Sequence, residues 1–252
     1  LPEDYDWTET IMKKWKGTDG WLQDYLSGYS LHFYTVNDWS KKGSATVFDE
    51  DQWFSTLSRT LKMEELITKH AAIMDRADAE KRVGMIVDEW GTWYDVEPGT
   101  EPGFLYQQST MRDALVAALN FHIFQRHADR VVMTNIAQTV NVLQAMILTD
   151  KEKMVRTPTY WVFEMFKVHQ GETFLPVELT SPDYVLGDQK IPAVSASATR
   201  SADGRTVHLS LVNTNPNQGA TQQNGFVSVQ LELARNHETA SLVLGAHVVN
   251  VP

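Results

Sequence analysis

The sequence predicts an α/β domain followed by an all-β module. Two observations carry this prediction. Up to residue 171 short buried-strand patterns alternate with helical patterns, and from residue 172 onward strand patterns alternate with turns. Alternating strands and helices are typical of parallel βα units, whereas strands separated only by turns indicate an antiparallel sheet. We therefore expect an α/β domain over residues 1–171 and a β-sandwich domain, which need not be complete, over residues 172–252.

The first half of the α/β part contains two strand patterns and two helical ones. A helical pattern covers residues 8–15, and the strand-like run GYSLHFYTV follows at residues 28–36. Residues 55–75 carry apolar side chains at helical spacing, which predicts one long helix. Residues 83–87 are apolar and partly β-branched, which indicates a strand buried on both faces.

The rest of the α/β part repeats this alternation after a Gly/Pro-rich loop. Ser109 is a candidate N-cap for a helix that runs to about residue 127. Residues 130–138 read as a third buried strand, and residues 159–169 as a further helix. Three strands with intervening helices cannot close a barrel alone, so further strands are expected from outside this chain.

Residues 172–252 show sequence patterns that are typical of antiparallel strands. Asp203 and Gly204 separate two strand patterns, and an Asp-Gly pair in this position is a strong hairpin signal. Residues 226–233, FVSVQLEL, alternate apolar and polar side chains with period two, as a half-buried strand does. These patterns predict the β-sandwich.

Composition excludes several function classes. The net charge of −10 and a pI near 5.2 argue against nucleic-acid and anionic-membrane partners, which reward clustered Lys and Arg. The chain has no cysteine, and its eight histidines show no metal-ligand spacing, so we expect neither metal nor cofactor. No run approaches the ~18 apolar residues of a membrane span, and no signal peptide is visible. We expect a cytoplasmic location, and a fragment or processed half, since the chain starts without Met.

Polar side chains follow each of the three predicted strands. They are His32 and Tyr34 after the first, Asp88 and Glu89 after the second, and Asn135 and Gln138 after the third. Because active sites of parallel α/β folds lie at the carboxyl ends of strands, these groups could converge on one pocket. Tryptophan and tyrosine rings around a carboxylate suit a sugar, whose hydrolysis uses carboxylates as nucleophile and acid/base.

Each of these residues also has a structural interpretation. An Asp or Glu at a strand end is most often a helix cap or a surface charge. A single histidine such as His32 is more often a hydrogen-bonded structural residue than a catalytic one. The residue patterns alone therefore leave both interpretations open.

Longer stretches resemble a known family. The runs SLHFYTV, KGSATVFDEDQWF, IVDEWGTWYDVEPGTEPGFLYQQSTMRDALVAALNF, NIAQTVNVLQAMILTD and TPTYWVFEMFKVHQ resemble, in this order, the α-L-arabinofuranosidases of glycoside hydrolase family 51. The resemblance covers roughly residues 5–170. It implies strands six to eight of a (β/α)8 barrel followed by a β-sandwich. It also implies a retaining, exo-acting enzyme that releases terminal arabinofuranose from arabinan, arabinoxylan or their oligosaccharides.

The resemblance also implies roles for individual residues. Glu89, the glutamate of DEWG, matches the family's nucleophile at the end of the seventh strand. His32 and Gln144 resemble family residues that contact the sugar or hold the catalytic pair. Glu89 must stay ionised, so we expect Tyr34 to donate a hydrogen bond to it, and we expect Trp93 to wall the pocket. Asp88 is expected to orient the loop rather than to take part in the chemistry.

The family's acid/base is a glutamate in an Asn-Glu pair on strand four, and this chain contains no Asn-Glu pair. We therefore expect the N-terminal half of the enzyme as a partner, either as a separate chain or as a missing segment. The resemblance implies two further partners. One is an arabinose-containing oligosaccharide or polysaccharide, and the other is further copies of the chain in a homo-oligomer.

The chain departs from the family pattern at two places, and two alternative functions stay open. Trp161 stands where the family has a histidine, and the final run LVLGAHVVNVP diverges from the usual ending. One alternative is another retaining glycosidase on the same barrel, such as an endoglucanase or a β-xylosidase. The other is a non-catalytic fragment that needs an N-terminal partner chain.

Overall fold

A computed structural model of the chain describes residues 2–17, 21–218, 228–233 and 238–243. The chain forms two compact units, Leu1–Trp161 and Val162–Pro252. The first contains α1 (Tyr5–Gly17), α2 (Trp21–Tyr25), β1 (Gly28–Thr35), α3 (Glu50–Thr60), α4 (Lys62–Ala77), β2 (Gly84–Thr92), α5 (Met111–Arg126), β3 (Val131–Ile136), β4 (Ile147–Asp150) and β5 (Lys153–Arg156). Helix α6 (Pro158–Phe166) spans the division at Trp161. The second unit contains β6 (Thr173–Leu175), β7 (Val177–Thr180), β8 (Asp183–Leu186), β9 (Gln189–Pro192), β10 (Val194–Arg200), β11 (Val207–Asn213), β12 (Ser228–Leu233) and β13 (Glu238–Val243).

A parallel sheet organises the first unit. Its three strands lie in the order β1-β2-β3, and both neighbouring pairs are parallel. Helices α3 and α4 lie between β1 and β2 in the chain, and α5 lies between β2 and β3. The predicted alternation of parallel strands and helices is therefore confirmed.

Strand β1 shows why its polar residues share one face. Tyr29, Leu31 and Phe33 are buried, whereas the alternate positions are more exposed. Successive side chains of a strand point to opposite faces. His32 and Tyr34 therefore lie on the face opposite the buried one.

The long helix predicted over residues 55–75 is wrong. Helix α3 ends at Thr60, and α4 begins at Lys62, with Leu61 as the C-cap of the first and the N-cap of the second. The hydroxyl of Thr60 donates to the carbonyl of Thr56 at 2.9 Å, a local bond that competes with the helical backbone pattern and often bends helices. Apolar spacing continues across this break, so periodicity alone did not reveal it.

The predicted N-cap of α5 is also wrong, by one residue. The cap is Thr110, which forms a capping box with Asp113, and the helix ends at Arg126. The hydroxyl of Ser109 lies instead 3.1 Å from that of Thr159, in a buried contact. Three hydrogen-bonding residues in succession, Gln108, Ser109 and Thr110, made the starting point ambiguous in the sequence.

The described part of the second unit contains two three-stranded antiparallel sheets, in the orders β11-β10-β6 and β13-β12-β7, together with a separate hairpin of β8 and β9. Leu175 and Val194 lie in a buried cluster against which Val177 and Leu179 of β7 pack, so apolar side chains join the two sheets. Strands β10 and β11 form the hairpin predicted at Asp203 and Gly204. The divergent run at residues 242–252 lies mostly outside the described residues.

A buried ion pair fixes the starting end of β2. Arg130 and Asp78 are buried, and the Nη1 atom of Arg130 lies 3.0 Å from Oδ2 of Asp78. The carboxylate also accepts the backbone N–H groups of Arg82 and Val83 at 3.0 and 2.8 Å. Burial opposes ionisation of Asp78, but these amides and the guanidinium outweigh burial and lower its pKa.

Replacing Asp78 with asparagine should destabilise the protein by about 2 kcal/mol, because the buried guanidinium of Arg130 then loses the charge of Asp78 and keeps that of Asp75. The matched control is Asp129→Asn, whose carboxylate pairs with Lys81 at the surface and whose loss should cost under about 0.5 kcal/mol. Urea unfolding of the complete protein at pH 7 measures both changes. Equal losses in the two variants would contradict the structural role assigned to Asp78.

Candidate active site

A β-bulge brings Asp88 and Glu89 to the same face of the sheet. Ser30 pairs with Ile86 and His32 pairs with Glu89, so β2 has one residue more than β1 over this stretch. The same excess occurs against β3, between Val87 and Trp90. In a regular strand, neighbouring side chains would point to opposite faces, and a bulge redirects one of them.

His32 lies between the two carboxylates. Its Nε2 atom is 2.7 Å from Oδ1 of Asp88, and its Nδ1 atom is 3.1 Å from Oε2 of Glu89. Ser30 donates from its hydroxyl to both oxygens of Asp88 at 2.9 Å. Asp88 therefore holds the imidazole against Glu89, and its expected role in orienting the loop stays a prediction.

Tyr34 donates its phenolic hydroxyl to Oε1 of Glu89 at 2.5 Å. Burial raises the pKa of Tyr34, and its hydrogen bond to Glu89 raises that pKa further. The phenol therefore stays protonated, and remains a donor, through neutral and moderately basic pH. Glu89 thus meets a polar partner at each oxygen, while 39% of its side chain is open to solvent and to a ligand.

Two indoles extend from this cluster. The rings of Tyr34 and Trp93 meet edge to face with centroids 5.1 Å apart, and those of Trp93 and Trp39 do so at 5.6 Å. Sequence reasoning proposed Trp93 but missed Trp39, because Trp39 lies in a polar loop after β1 with no pattern to mark it. Together the three rings form a wall beside the carboxylate.

Gln144 is not part of this open cluster. It is buried: its Oε1 accepts the backbone N–H of Thr92 at 2.8 Å, and its Nε2 donates to the carbonyl of Asp113 at 2.7 Å. Gly91, at φ +142°, lies so close that an added Cβ would stand 3.1 Å from Oε1 of Gln144. The structure therefore places Gln144 as a support for the end of β2.

A buried carboxylate completes that support. Asp113 accepts the hydroxyl of Thr92 at 2.5 Å on one oxygen and the backbone N–H of Thr110 at 2.7 Å on the other. Burial raises the pKa of Asp113, and these hydrogen bonds oppose the rise. Asp113 ties the first turn of α5 to the strand that carries Glu89. Its capping-box position was the signal available in the sequence.

No group of three or more His, Cys, Asp and Glu side chains that could hold a metal ion occurs among the described residues. Within the same ranges, no helix is long and apolar enough to cross a membrane. Gln138 follows β3 as expected, but Asn135 lies within the strand, because β3 continues to Ile136; both side chains are exposed.

A carboxylate that is hydrogen-bonded at the strand ends of a parallel βα sheet, beside a wall of aromatic rings, suits a glycoside hydrolase, which uses carboxylates at such a site. The family profile described as "Alpha-L-arabinofuranosidase C-terminal domain" matches residues 88–248. The chain belongs to this family, the C-terminal region of the family 51 arabinofuranosidases.

Individual relatives agree with this assignment. The chain is 48% identical over 212 residues to an intracellular exo-α-L-arabinofuranosidase of Bacteroides ovatus, covering 83% of this chain and 40% of that protein. It is 30% identical over 248 residues to the intracellular exo-α-(1→5)-L-arabinofuranosidase 1 of Bacillus subtilis, covering 92% of this chain and 46% of that one. The crystal structure of the family 51 arabinofuranosidase from Xanthomonas axonopodis pv. citri superposes with a TM-score of 0.79 at 54% identity, covering 84% of this chain and 42% of that one. The chain thus spans less than half the length of these three proteins.

Trp161, the predicted departure from the family pattern, is half-exposed on α6. The guanidinium of Arg156 lies 5.7 Å from the centroid of its ring, and the ring of Tyr160 meets it edge to face at 5.3 Å. Its effect on a subunit or cleft contact stays a prediction.

Proposed function

We propose that this chain is the C-terminal half of a retaining, exo-acting α-L-arabinofuranosidase, and that Glu89 is its nucleophile. The observation that carries the proposal is the 2.5 Å hydrogen bond from Tyr34 to Glu89 at the carboxyl end of the middle parallel strand. The substrate is terminal arabinofuranose on arabinan, arabinoxylan or their oligosaccharides. The relatives from Bacteroides ovatus and Bacillus subtilis are exo-acting and intracellular by name, which supports the exo mode and a cytoplasmic location.

The proposed mechanism has two displacements at the anomeric carbon. First, the Glu89 carboxylate bonds to that carbon as the glycosidic bond breaks, and an acid outside this chain protonates the leaving oxygen. Water, deprotonated by the same group, then attacks the anomeric carbon and releases Glu89. Two inversions give net retention, which requires the two carboxyl groups to lie ~5–5.5 Å apart.

The other side chains position the nucleophile and the sugar. Tyr34 fixes Glu89 from one side and His32 from the other, so the carboxylate keeps one orientation. Trp93 offers a ring face or edge to the sugar, and His32, 52% exposed, can also meet a hydroxyl. For Gln144 we propose a positioning role through Thr92 rather than direct contact with the sugar.

The N-terminal half is the proposed partner. In the described sheet β1 and β3 are edge strands, and parallel sheets are normally covered on both faces. Val132 and Met133 on β3 are exposed, although the apolar sequence of this strand predicts that it is buried. Five further strands would close a (β/α)8 barrel, in which β1, β2 and β3 are strands six to eight, and would bring the missing acid/base.

We propose that the barrel portion of this chain ends at residue 171 and that the β-sandwich domain begins at residue 172.

A homo-oligomer is also proposed. Its support is the exposed apolar surface on α6, where Trp161 and Met165 face solvent. Size-exclusion chromatography with light scattering on the complete enzyme tests it. A monomer at micromolar concentration would exclude it.

The activity is tested with three substrates on the complete enzyme. We expect hydrolysis of an aryl α-L-arabinofuranoside, with retention of configuration, and little or none of an aryl β-xyloside or of cellulose. Preference for the xyloside or for cellulose would favour another glycosidase on the same barrel. No hydrolysis of any of the three would favour a non-catalytic protein.

Tyr34→Phe should lower kcat on the aryl arabinofuranoside about 100-fold, because it removes one preorganised donor from Glu89 and leaves the ring packing against Trp93 intact. Tyr25→Phe is the matched control, since Tyr25 is 79% exposed on α2, and it should not change kcat. Steady-state kinetics of the wild type and of both variants measure these changes in kcat. A Tyr34→Phe enzyme with wild-type kcat would remove Tyr34 from the proposed mechanism.

A further inference from the structure

Arg112 is a buried cation that forms no ion pair with a carboxylate in the described part of the chain. It lies in the first turn of α5 and is 1% exposed. Its Nη2 atom donates to the backbone carbonyls of Ser44 and Ala45, at 3.0 and 3.4 Å. The neighbouring carboxylate, that of Asp113, accepts from Thr92 instead. Because a buried arginine is normally paired with an acid, its other contacts must compensate for the lost hydration.

Two aromatic rings supply this compensation. The guanidinium carbon of Arg112 lies 3.8 Å from the ring centroid of Phe48 and 4.0 Å from that of Tyr94. Two rings cannot both cover one face of a planar group at such distances, so the guanidinium lies between them. Arginine suits this position because its delocalised charge is weakly hydrated and its plane stacks on aromatic faces. The cation therefore joins the two rings.

The partners of Arg112 belong to two segments that are distant in the chain. Its two carbonyl partners and Phe48 lie between β1 and α3, in residues 36–49, which we call the β1–α3 loop. Tyr94 lies just after the end of β2. One side chain of α5 therefore holds the β1–α3 loop against the segment that follows β2.

A second attachment holds the same loop. The N–H of Gly43 donates to Oδ2 of Asp95 at 3.1 Å, and the N–H of Asp95 donates to the carbonyl of Gly43 at 2.9 Å. Gly43 has a φ of +85°, in the left-handed region that favours glycine. Asp95 is exposed, whereas Arg112 is buried. The β1–α3 loop is thus attached to the segment after β2 at the surface and again in the interior.

Both segments carry an indole of the aromatic wall beside Glu89. Trp39 lies in the β1–α3 loop and is 59% exposed, and Trp93 directly precedes Tyr94. The two indole rings meet edge to face with centroids 5.6 Å apart. Their relative position depends on how firmly the loop is held against the segment after β2, and Arg112 is the interior contact that holds it.

We propose that Arg112 is a positioning residue for the sugar site: it fixes the β1–α3 loop, and with it Trp39, against Trp93. The inference rests on the proposed function and deepens it. Arg112 acts through the loop, because its buried side chain is closed to the substrate. A wall of rings contacts the sugar in the ground state and in the transition state alike, so loosening the wall should raise KM and leave kcat unchanged.

Trypsin digestion of the complete enzyme tests the attachment of the loop without reference to activity. Lys41 and Lys42 lie in the β1–α3 loop, and cleavage there requires the loop to open locally. In Arg112→Met the rate of cleavage after these lysines, followed by mass spectrometry well below the melting temperature, should rise about tenfold. Arg59→Met, which replaces an exposed arginine on α3, should leave the rate unchanged. An unchanged rate in Arg112→Met would overturn the inference.

Steady-state kinetics on an aryl α-L-arabinofuranoside test the consequence for the sugar site. In Arg112→Met, KM should rise about fivefold, the worth of one aromatic contact, and kcat should change less than about twofold. This pattern is the reverse of the one expected for Tyr34→Phe, which lowers kcat. Wild-type KM in Arg112→Met, or a loss of kcat at unchanged KM, would overturn the positioning role.

Arg112→Lys separates the shape of the side chain from its charge. Lysine keeps the charge but lacks the planar group that lies between the two rings. The variant should therefore resemble Arg112→Met in both the cleavage rate and KM. If lysine restores both wild-type values, stacking between Phe48 and Tyr94 is not what holds the loop, and the inference is wrong.

Phe48→Leu keeps the inference testable if the Arg112 variants do not fold. It removes one of the two rings and leaves the hydrogen bonds from Arg112 to the carbonyls in place. We expect a smaller effect in the same direction: cleavage after Lys41 and Lys42 about three times faster, and KM about twofold higher. In the absence of folded Arg112 variants, wild-type cleavage and KM in Phe48→Leu would overturn the inference.

The two measurements separate this inference from the proposed function. An enzyme that hydrolyses the aryl arabinofuranoside, and whose Arg112→Met variant has wild-type cleavage and KM, retains the proposed function and loses the positioning residue. An enzyme that hydrolyses no arabinofuranoside loses the proposed function, and the digestion then decides whether Arg112 holds the loop.

Discussion

Glu89→Ala in the complete enzyme should lower kcat on an aryl α-L-arabinofuranoside by roughly four orders of magnitude or more, because removal of a covalent nucleophile removes the first displacement. The fold should be retained, since Glu89 is partly exposed and its partners Tyr34 and His32 are held by other contacts as well. Circular dichroism and the melting temperature check the fold, and single-turnover kinetics check the chemistry.

Azide provides the diagnostic control for this variant. The small anion fits the space left by the carboxylate, and a single displacement by azide should give a glycosyl azide of inverted configuration. Glu80→Ala is the matched control, because Glu80 is a strongly exposed carboxylate at the other end of β2 and should leave kcat unchanged. Near-normal turnover in Glu89→Ala would end the assignment of the nucleophile.

Residues 1–252 alone should show no turnover and no single cooperative unfolding transition. We propose that the acid/base is supplied by the N-terminal half, and the three-stranded parallel sheet of the described residues leaves two unpaired edges and exposed apolar side chains such as Val132. Co-expression with the N-terminal half should restore both activity and cooperative unfolding, which kinetics and calorimetry measure.

The control for this complementation is an N-terminal half in which the strand-four glutamate is replaced by glutamine. It should still assemble with this chain and restore cooperative unfolding, but not turnover. If residues 1–252 alone are monomeric and unfold in one cooperative transition, the requirement for a partner half is wrong.

The sequence predicted the order of the elements well because the strongest local signals coincide with them. Apolar, β-branched runs marked β2 and β3, and the Asp203-Gly204 pair marked the hairpin between β10 and β11. Both signals depend on a few neighbouring residues. The break at Leu61 was missed because it depends on a side-chain bond to the backbone, which apolar spacing does not report.

The site was predicted only in part, since its geometry depends on non-local contacts. The family resemblance implied the role of Glu89, a hydrogen bond from Tyr34 was predicted because Glu89 must stay ionised, and the structure brings these two side chains into contact. The bulge that turns both Asp88 and Glu89 toward His32 depends on the register between two strands, which no single segment encodes. The burial of Gln144 likewise depends on Thr92 and Asp113, which are distant in the chain.

The central claim, that Glu89 forms a covalent bond with the sugar, has one direct test. The complete enzyme is incubated with an activated 2-deoxy-2-fluoro arabinofuranoside, whose fluorine slows breakdown of the glycosyl-enzyme, and the protein is then digested and examined by mass spectrometry. We predict one equivalent of the fluorinated sugar on the peptide that contains Glu89, and none in Glu89→Gln. A sugar attached to a different residue, or an enzyme that turns over the substrate with inversion and never becomes labelled, would contradict the account.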